Sequence, residues 1–200
     1  MTGVSERVAI QWSQYFQDKC SHWLTEHPFK IGGPGEIVEI NESFMARWKY
    51  HCGQLIPERW IFDGYCCSSG RGFFQLVQNR TAETLLPLVQ QYIEPGSVIL
   101  SDEWAAYRKI AEIDVHPPYE HKTVNHSKHF VDPITGVCTN SIECYWKNCK
   151  RRFKTMCGVQ STMLESHLDE FLWRELHAKG PGNILESYLY QLSQFYNVNS

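Results

Sequence analysis

The order of the apolar segments constrains the fold of this 200-residue chain more than any other feature. A β-branched run at residues 37–40 is followed by two longer apolar runs at 60–67 and 72–78. Residues 68–71, which separate the two longer runs, read Ser-Ser-Gly-Arg, a sequence typical of a hairpin turn. The first part of the chain therefore predicts three antiparallel strands.

Helices and further short strands dominate the rest of the chain. Thr81 is the expected N-cap of a helix that Pro95-Gly96 ends, and residues 97–100 form a short buried strand. A short strand is expected at 123–125, and helical patterns cover about 103–112, 141–156, 162–178 and 184–195. Three antiparallel strands, a helix, a parallel strand and further helices are the order expected of an RNase H-like α/β fold, with a mixed five-stranded sheet flanked by helices.

Segments that interrupt helices and strands mark the predicted domain boundaries. Residues 4–24 carry apolar side chains at helical spacing, and His27-Pro28 ends this pattern because the residue before a proline avoids the helical region. A run rich in Gly and Pro follows at 31–35. We therefore predict an N-terminal helical segment at 1–28, an RNase H-like domain at 29–180 and a C-terminal helix at 181–200.

Composition excludes several classes of protein. A hydrophobic share of 42% that includes seven Trp favours a packed core over disorder. The longest apolar stretches are strand-sized and the N-terminus lacks a signal-peptide pattern, so we expect a nuclear or otherwise intracellular protein without a membrane span. The eight Cys are then expected to be reduced thiols. A zinc site of His126, His129 and Cys138 is an alternative, and buried or incidental thiols are the favoured interpretation.

Three short segments carry the candidate chemistry. Residues 39–43 (Glu-Ile-Asn-Glu-Ser) end the first strand, Asp102 follows the buried strand at 97–100, and Glu143 opens the helix at 141–156. Two-metal phosphoryl-transfer sites place carboxylates in this way, each on a different rigid element. The position where a first Asp is expected is Asn41. An alternative for Ser101 or Asp102 is the N-cap of the next helix.

The helix at 141–156 has two stripes. Its apolar stripe, which is expected to face the core, is formed by Ile142, Trp146, Cys149 and Phe153. Glu143 begins the neighbouring stripe, and cations continue it. Although the net charge is −3, the cations of this helix fall within eight positions and are Lys147, Lys150, Arg151, Arg152 and Lys154. This local positive patch suits binding to backbone phosphates. The alternative is a solvated face on which Glu143 and Lys147 form an ordinary ion pair.

From about Phe29 to about Trp173 the chain resembles the ISXO2-like transposase domain of the Merlin group, a DDE-type DNA transposase family. Many short ordered matches, spread over some three-quarters of the chain, carry the resemblance. The longest are Ile31-Gly32-Gly33-Pro34-Gly35, Val38-Glu39-Ile40-Asn41-Glu42-Ser43, Pro57-Glu58-Arg59-Trp60-Ile61-Phe62, Ser101-Asp102-Glu103-Trp104-Ala105-Ala106-Tyr107 and Thr139-Asn140-Ser141-Ile142-Glu143.

The resemblance implies a site that binds two Mg²⁺ (or Mn²⁺) ions for DNA strand cleavage and transfer. Asp102 corresponds to the second acid and Glu143 to the third, while Asn41 stands where the family has Asp. An amide brings no charge and does not bridge two ions as a carboxylate does. Cys138 is a second departure, because the family usually has His there. The implied partners are double-stranded DNA at transposon ends and further copies of the chain in a homo-oligomer. The resemblance also implies that the helical segment at 1–28 is the remnant of a DNA-binding module.

Three neighbouring acids are candidates to replace the missing one, namely Glu39, Glu42 and Asp63. On a regular strand Glu39 shares the face of Asn41 and Glu42 faces the other way. The leading hypothesis is a transposase-derived domain that binds DNA and has weak or no cleavage activity. The alternatives are an active Mg²⁺-dependent transposase that tolerates Asn41, and a domesticated scaffold that binds protein partners.

Overall fold

A computed structural model defines residues 3, 5–44, 59–123, 140–156, 159, 161–177 and 184–195. Cys138, His126 and His129, which the sequence analysis considered as zinc ligands, lie outside this part of the chain. The helices and strands are α1 (Glu6–Glu26), β1 (Ile37–Phe44), β2 (Trp60–Cys66), β3 (Arg71–Val77), α2 (Ala82–Tyr92), β4 (Val98–Ser101), a 3₁₀ helix (Ala105–Glu112), β5 (Glu120–Thr123), α3 (Asn140–Thr155), a short 3₁₀ turn (Ser161–Met163), α4 (Leu164–His177) and α5 (Ile184–Phe195).

The five strands form one mixed sheet in the order β3-β2-β1-β4-β5. β1, β2 and β3 pair antiparallel, whereas β4 pairs parallel with β1 and β5 parallel with β4. This topology, with helices against the sheet, confirms the predicted RNase H-like fold. β1 is longer than the apolar run at 37–40 because its polar half stays paired with β2, from Asn41 opposite Asp63 to Phe44 opposite Trp60.

The two faces of the sheet bury different kinds of side chain. One face packs with α2 and the Ala105–Glu112 helix in a cluster that includes Val38, Ile40, Phe62, Phe73, Leu85, Ile99 and Tyr107. The other face contacts α3, whose Tyr145 ring stacks on Phe74 at a centroid distance of 4.8 Å. Gly72 permits this approach, because a Cβ atom at that position would clash with the Tyr145 ring. α3 is thereby packed closely against β2 and β3.

Several predicted details differ in the structure. Thr81 occupies the N-cap position of α2, but its side chain makes no capping hydrogen bond. Asn79 Oδ1 instead accepts hydrogen bonds from the Thr81 amide and the Thr84 hydroxyl, at 3.1 and 2.6 Å. The helix predicted at 103–112 is a 3₁₀ helix that begins at Ala105. The last strand lies at Glu120–Thr123, earlier than predicted, where it pairs with β4.

The chain divides into two compact units, Pro28–Glu165 and a second that combines Met1–His27 with Ser166–Ser200. In the second unit Trp173 is buried with Cys20 and Tyr188, and Phe16 packs against this cluster. The buried Gln17 donates a hydrogen bond to Glu170 at 3.2 Å. The boundaries predicted at residues 28 and 180 stay predictions. Within the described residues, no helix is both long enough and apolar enough to cross a membrane.

Candidate metal and nucleic-acid site

Asn41 and Asp102 lie just beyond the residues through which β1 and β4 pair, Asn41 within β1 and Asp102 directly after β4. β1 and β4 pair in parallel, with Glu39 opposite Leu100. Asn41 and Asp102 each follow that pair by two residues, so both lie where the parallel pairing of β1 and β4 has ended. Asn41 itself remains paired with β2. The half-buried Asn41 donates from Nδ2 to the Ser43 hydroxyl at 3.3 Å. Its amide oxygen is therefore the atom that it offers to a cation.

Asp102 is half-buried and supports the start of the 3₁₀ helix. Its Oδ1 accepts a hydrogen bond from the Trp104 backbone amide at 3.0 Å. The N-cap position is occupied by Trp104 and not by Asp102, as the alternative had predicted. The Asp102 side chain instead forms a turn with the backbone amide two residues ahead of it. A carboxylate has two oxygens and several lone pairs, so this bond is compatible with cation binding.

Glu143 is exposed on the first turn of α3. The buried carboxylate of Glu39 anchors that turn, because Glu39 Oε2 accepts a hydrogen bond from the Ile142 backbone amide at 2.8 Å. Glu39 lies two residues before Asn41 on the same face of β1. The fold thus holds the element that carries Glu143 against the strand that carries Asn41. Among ion pairs between described residues, none involves Glu143, so the alternative of a Glu143–Lys147 pair is not formed.

Two of the neighbouring acids have other partners. Glu39 binds the α3 backbone and also accepts a hydrogen bond from the Cys67 thiol at 3.2 Å. Glu42 faces the opposite side of the sheet and accepts a hydrogen bond from the Tyr107 hydroxyl. Burial, and after it the negative charge of Asp102, raises the pKa of Glu42 to about 7, although the charge of Arg80 opposes the shift. Asp102 and Glu42 therefore lie within electrostatic range of each other.

The third neighbouring acid, Asp63, is fully buried on β2 directly opposite Asn41. Neither of its carboxylate oxygens has a hydrogen-bond partner of ordinary geometry among the described residues. Burial raises the pKa of Asp63 well above its usual range, and the charge of Glu42 adds to this. Lys150 and the Ser43 hydroxyl lie close enough to oppose the shift. Buried polar groups are nearly always paired, so this carboxylate requires an explanation.

The α3 stripes agree with the predicted faces. Ile142, Trp146, Cys149 and Phe153 are buried, and the exposed cations are Lys147, Lys150, Arg151 and Lys154. Lys150 lies over the ring of Trp146, 4.8 Å from its centroid. Burial lowers the pKa of Lys150, against the opposing charge of Asp63. These side chains form a row of exposed positive charge that starts on the helix of Glu143.

An arginine between two tryptophans borders the site, and the sequence did not reveal it. The Arg80 guanidinium lies 3.8 Å from the Trp60 ring centroid and 4.6 Å from that of Trp104. Trp104 also donates from its indole nitrogen to the Arg80 carbonyl at 3.2 Å. The only available sequence signal was the aromatic residue in the Asp102-Glu103-Trp104 segment, because Trp60 and Arg80 come from distant parts of the chain.

The donor set around Asn41 fits a hard divalent cation in part. Carboxylate and amide oxygens are the ligands such cations prefer. Within the described residues, however, no group of three Asp, Glu, His or Cys side chains converges closely enough to hold an ion. These residues therefore offer suitable donor atoms, but the described ones do not form a group that could hold the ion.

Comparisons with known proteins give a consistent result. The family model described as the ISXO2-like transposase domain matches residues 59–175. An uncharacterized transposase-like protein of Haemophilus influenzae (strain ATCC 51907 / DSM 11121 / KW20 / Rd) is 29% identical over 99 residues, which cover 50% of this chain and 76% of that protein.

Two solved structures with low sequence identity also align. The HTLV-2 integrase catalytic core domain in complex with magnesium, in its trimeric form, has a TM-score of 0.46 at 15% identity and covers 76% of this chain and 90% of that one. The BIV integrase catalytic core domain has a TM-score of 0.47 at 16% identity, covering 80% and 97%.

Proposed function

Because this chain belongs to the ISXO2-like transposase domain family, we propose that it binds DNA as a DDE-type domain of the Merlin group and has impaired strand cleavage and transfer. The observation that carries the proposal is the position of Asn41. Asn41 lies within β1, two residues after the last pair that β1 forms with β4, and Asp102 lies two residues after the same pair, directly beyond β4. Glu39, on the same strand as Asn41, binds the helix of Glu143. An uncharged amide at the centre of that arrangement weakens a two-ion site more than it weakens DNA binding.

Each residue has a distinct role in this proposal. Asp102 and Glu143 would hold Mg²⁺ or Mn²⁺, and Asn41 would offer one neutral oxygen. When bound, such ions activate a water or a 3′-hydroxyl and stabilise the leaving oxygen. Glu39 keeps the first turn of α3 in place through the Ile142 amide. The loss of one anionic ligand lowers the affinity for the ions, so strand cleavage is impaired more than DNA binding.

The exposed cations of α3 are the proposed contact with DNA. Lys147, Lys150, Arg151 and Lys154 point to solvent from one helix. Their charges neutralise backbone phosphates without reading the base sequence. The proposed partner is double-stranded DNA at transposon ends, bound by a homo-oligomer of the chain in the nucleus or elsewhere inside the cell.

Salt-dependent DNA binding tests this role. We compare the wild type with Lys147→Ala/Lys154→Ala, and use Arg108→Ala/Lys109→Ala as the matched control that removes two exposed cations from the Ala105–Glu112 helix. Affinity for a duplex is measured by fluorescence anisotropy between low and physiological salt. Each lost phosphate contact reduces the salt slope by about 0.9, so the α3 variant is expected to lose up to about two units of slope.

The control separates DNA binding from a scaffold function. The proposal expects the Arg108→Ala/Lys109→Ala protein to keep the wild-type slope. Equal losses in both variants would mean that binding follows overall charge and not the α3 surface. A wild-type protein that shows no salt-dependent duplex binding would favour the scaffold hypothesis instead.

A further inference from the structure

Trp104, two residues after Asp102, carries an exposed ring that is held in a fixed orientation. Its backbone amide donates a hydrogen bond to Asp102 Oδ1 at 3.0 Å, and its indole nitrogen donates to the Arg80 carbonyl at 3.2 Å. The Arg80 guanidinium lies over the ring, 4.6 Å from its centroid. Trp104 nevertheless remains 41% exposed, although tryptophan side chains are highly buried on average. These three contacts therefore position an aromatic surface that is open to solvent.

Trp104 is the exposed end of a row of four packed side chains. The row begins with Phe44 at the end of β1, whose ring centroid lies 5.1 Å from that of Trp60. The Arg80 guanidinium comes next, 3.8 Å from the Trp60 centroid, and Trp104 follows it. Phe44, Trp60 and Arg80 are half-buried. Among the described residues no further ring packs against Trp104, so this end of the row can accept another planar group.

Arg80 adds a positive charge to the row. Within the described part of the chain, no carboxylate lies at ion-pair distance from its guanidinium. A guanidinium stacks through its faces and donates hydrogen bonds through its edge, so an arginine that lies between two rings can still bind a phosphate. An exposed ring beside such an arginine offers the two contacts that unpaired nucleic acid uses, one for the base and one for the backbone.

We infer that Trp104 and Arg80 hold an unpaired base at the end of the bound DNA, with the base stacked on the Trp104 ring and its phosphate bound by the Arg80 guanidinium. This role rests on the proposed function, because it takes DNA as the partner and names the form of DNA that the chain prefers. Stacking on an aromatic ring is tolerant of base identity, so the preference is for an unpaired end and not for a sequence. Since Trp104 binds Asp102 through its backbone, the stacked base would bring the DNA end to the candidate site.

An unpaired fluorescent base tests this role without any need for cleavage. Two duplexes are compared at low salt, one blunt and one that ends in an unpaired 2-aminopurine, whose fluorescence falls when it stacks on an aromatic ring. The wild type is expected to bind the second duplex about tenfold more tightly, a factor typical of one stacked base, and to quench its fluorescence.

Substitutions of Trp104 assign the effect to the ring. Trp104→Leu is expected to lose both the preference and the quenching. Trp104→Phe lacks the hydrogen bond to the Arg80 carbonyl but keeps a ring, so it should retain most of each. Tyr190→Leu, which removes an exposed ring from α5, is the control and is expected to behave as the wild type does. Thermal unfolding of each variant checks that the fold is kept.

The wild type also gives an answer that depends on no variant. With 5-iodouracil as the unpaired base, irradiation is expected to crosslink the DNA to Trp104, and a crosslink to other residues alone would overturn the assignment.

The remaining outcomes separate this role from the proposed function. If the wild type binds both duplexes equally, the role of Trp104 is overturned and the proposed function stands. A preference that survives in Trp104→Leu, or that is lost equally in Tyr190→Leu, would also overturn it. If the wild type binds neither duplex, the proposed function itself fails.

Discussion

The buried carboxylate of Glu39 on β1 accepts a hydrogen bond from the Ile142 backbone amide on α3, over a distance of 2.8 Å. A negative charge at a helix N-terminus also interacts favourably with the helix dipole and with amides that have no partner inside the helix. This single contact joins the strand of Asn41 to the helix of Glu143. The candidate site therefore depends on an acid that is not one of its ligands.

Replacement of Glu39 is expected to loosen the start of α3. Glu39→Ala leaves the buried Ile142 amide without a partner and should cost about 1–3 kcal/mol, because an unsatisfied buried donor pays its full desolvation penalty. Glu39→Gln keeps an acceptor and should cost less. Hydrogen exchange at the Ile142 amide measures the effect, with the exposed Glu112→Ala as control. Unchanged protection in Glu39→Ala would show that the contact does not hold the helix.

Glu42 is expected to make stability depend on pH. Its pKa rises from the ordinary value of 4.5 to about 7 in the fold. Between these values the folded chain keeps a proton that the unfolded chain releases, so this group makes stability fall as pH rises from about 4.5 to 7. Glu42→Gln keeps an acceptor for Tyr107 without the charge, and should add about 1–3 kcal/mol at pH 8.

The control for this prediction is the stability gain of the same Glu42→Gln variant at pH 5. Wild-type Glu42 is already largely protonated in the fold at that pH, so the gain should shrink toward zero. Chemical denaturation at both pH values measures the difference. An equal gain at pH 5 and pH 8 would assign the effect to packing and contradict the raised pKa.

Arg80 is expected to hold two distant aromatic residues together. Its guanidinium lies between the Trp60 and Trp104 rings, and stacking of this kind contributes about 0.5–1 kcal/mol per ring at partly exposed sites. Arg80→Ala should therefore lower the free energy of unfolding by about 1–2 kcal/mol. Arg80→Lys should recover little, because an ammonium cannot stack as a planar guanidinium does. If Arg80→Lys instead regained the full wild-type free energy of unfolding, the positive charge alone, and not stacking of the guanidinium, would account for the contact.

The fold was predictable because its strands are marked by local patterns. The hairpin signal at 68–71 and the apolar runs on either side gave β2 and β3, and the apolar stripe through Ile142 and Phe153 gave the buried face of α3. The polar half of β1 was not predictable in the same way. Asn41, Glu42 and Ser43 interrupt the apolar pattern, and only pairing with β2 makes them a strand.

The candidate site residues stay predictions, and the contacts around them could not be read from the sequence. The parallel strand at 97–100 that precedes Asp102 was expected, and β4 does pair in parallel with the strand of Asn41. The sequence does not show that Asp63 lies opposite Asn41, because strand register depends on long-range pairing. Nor does it show that Glu39 caps α3, since more than one hundred positions separate Glu39 from Ile142.

Nicking of supercoiled plasmid DNA, measured for the wild type and for Asn41→Asp in Mg²⁺ or Mn²⁺, tests the central claim most directly. The account predicts little or no nicking by the wild type and a clear gain in Asn41→Asp, because the substitution returns an anionic ligand to β1. Asp102→Asn in the Asn41→Asp background should abolish the gain and exclude a contaminating nuclease. Nicking by the wild type as efficient as that of Asn41→Asp would contradict the claim that Asn41 impairs cleavage.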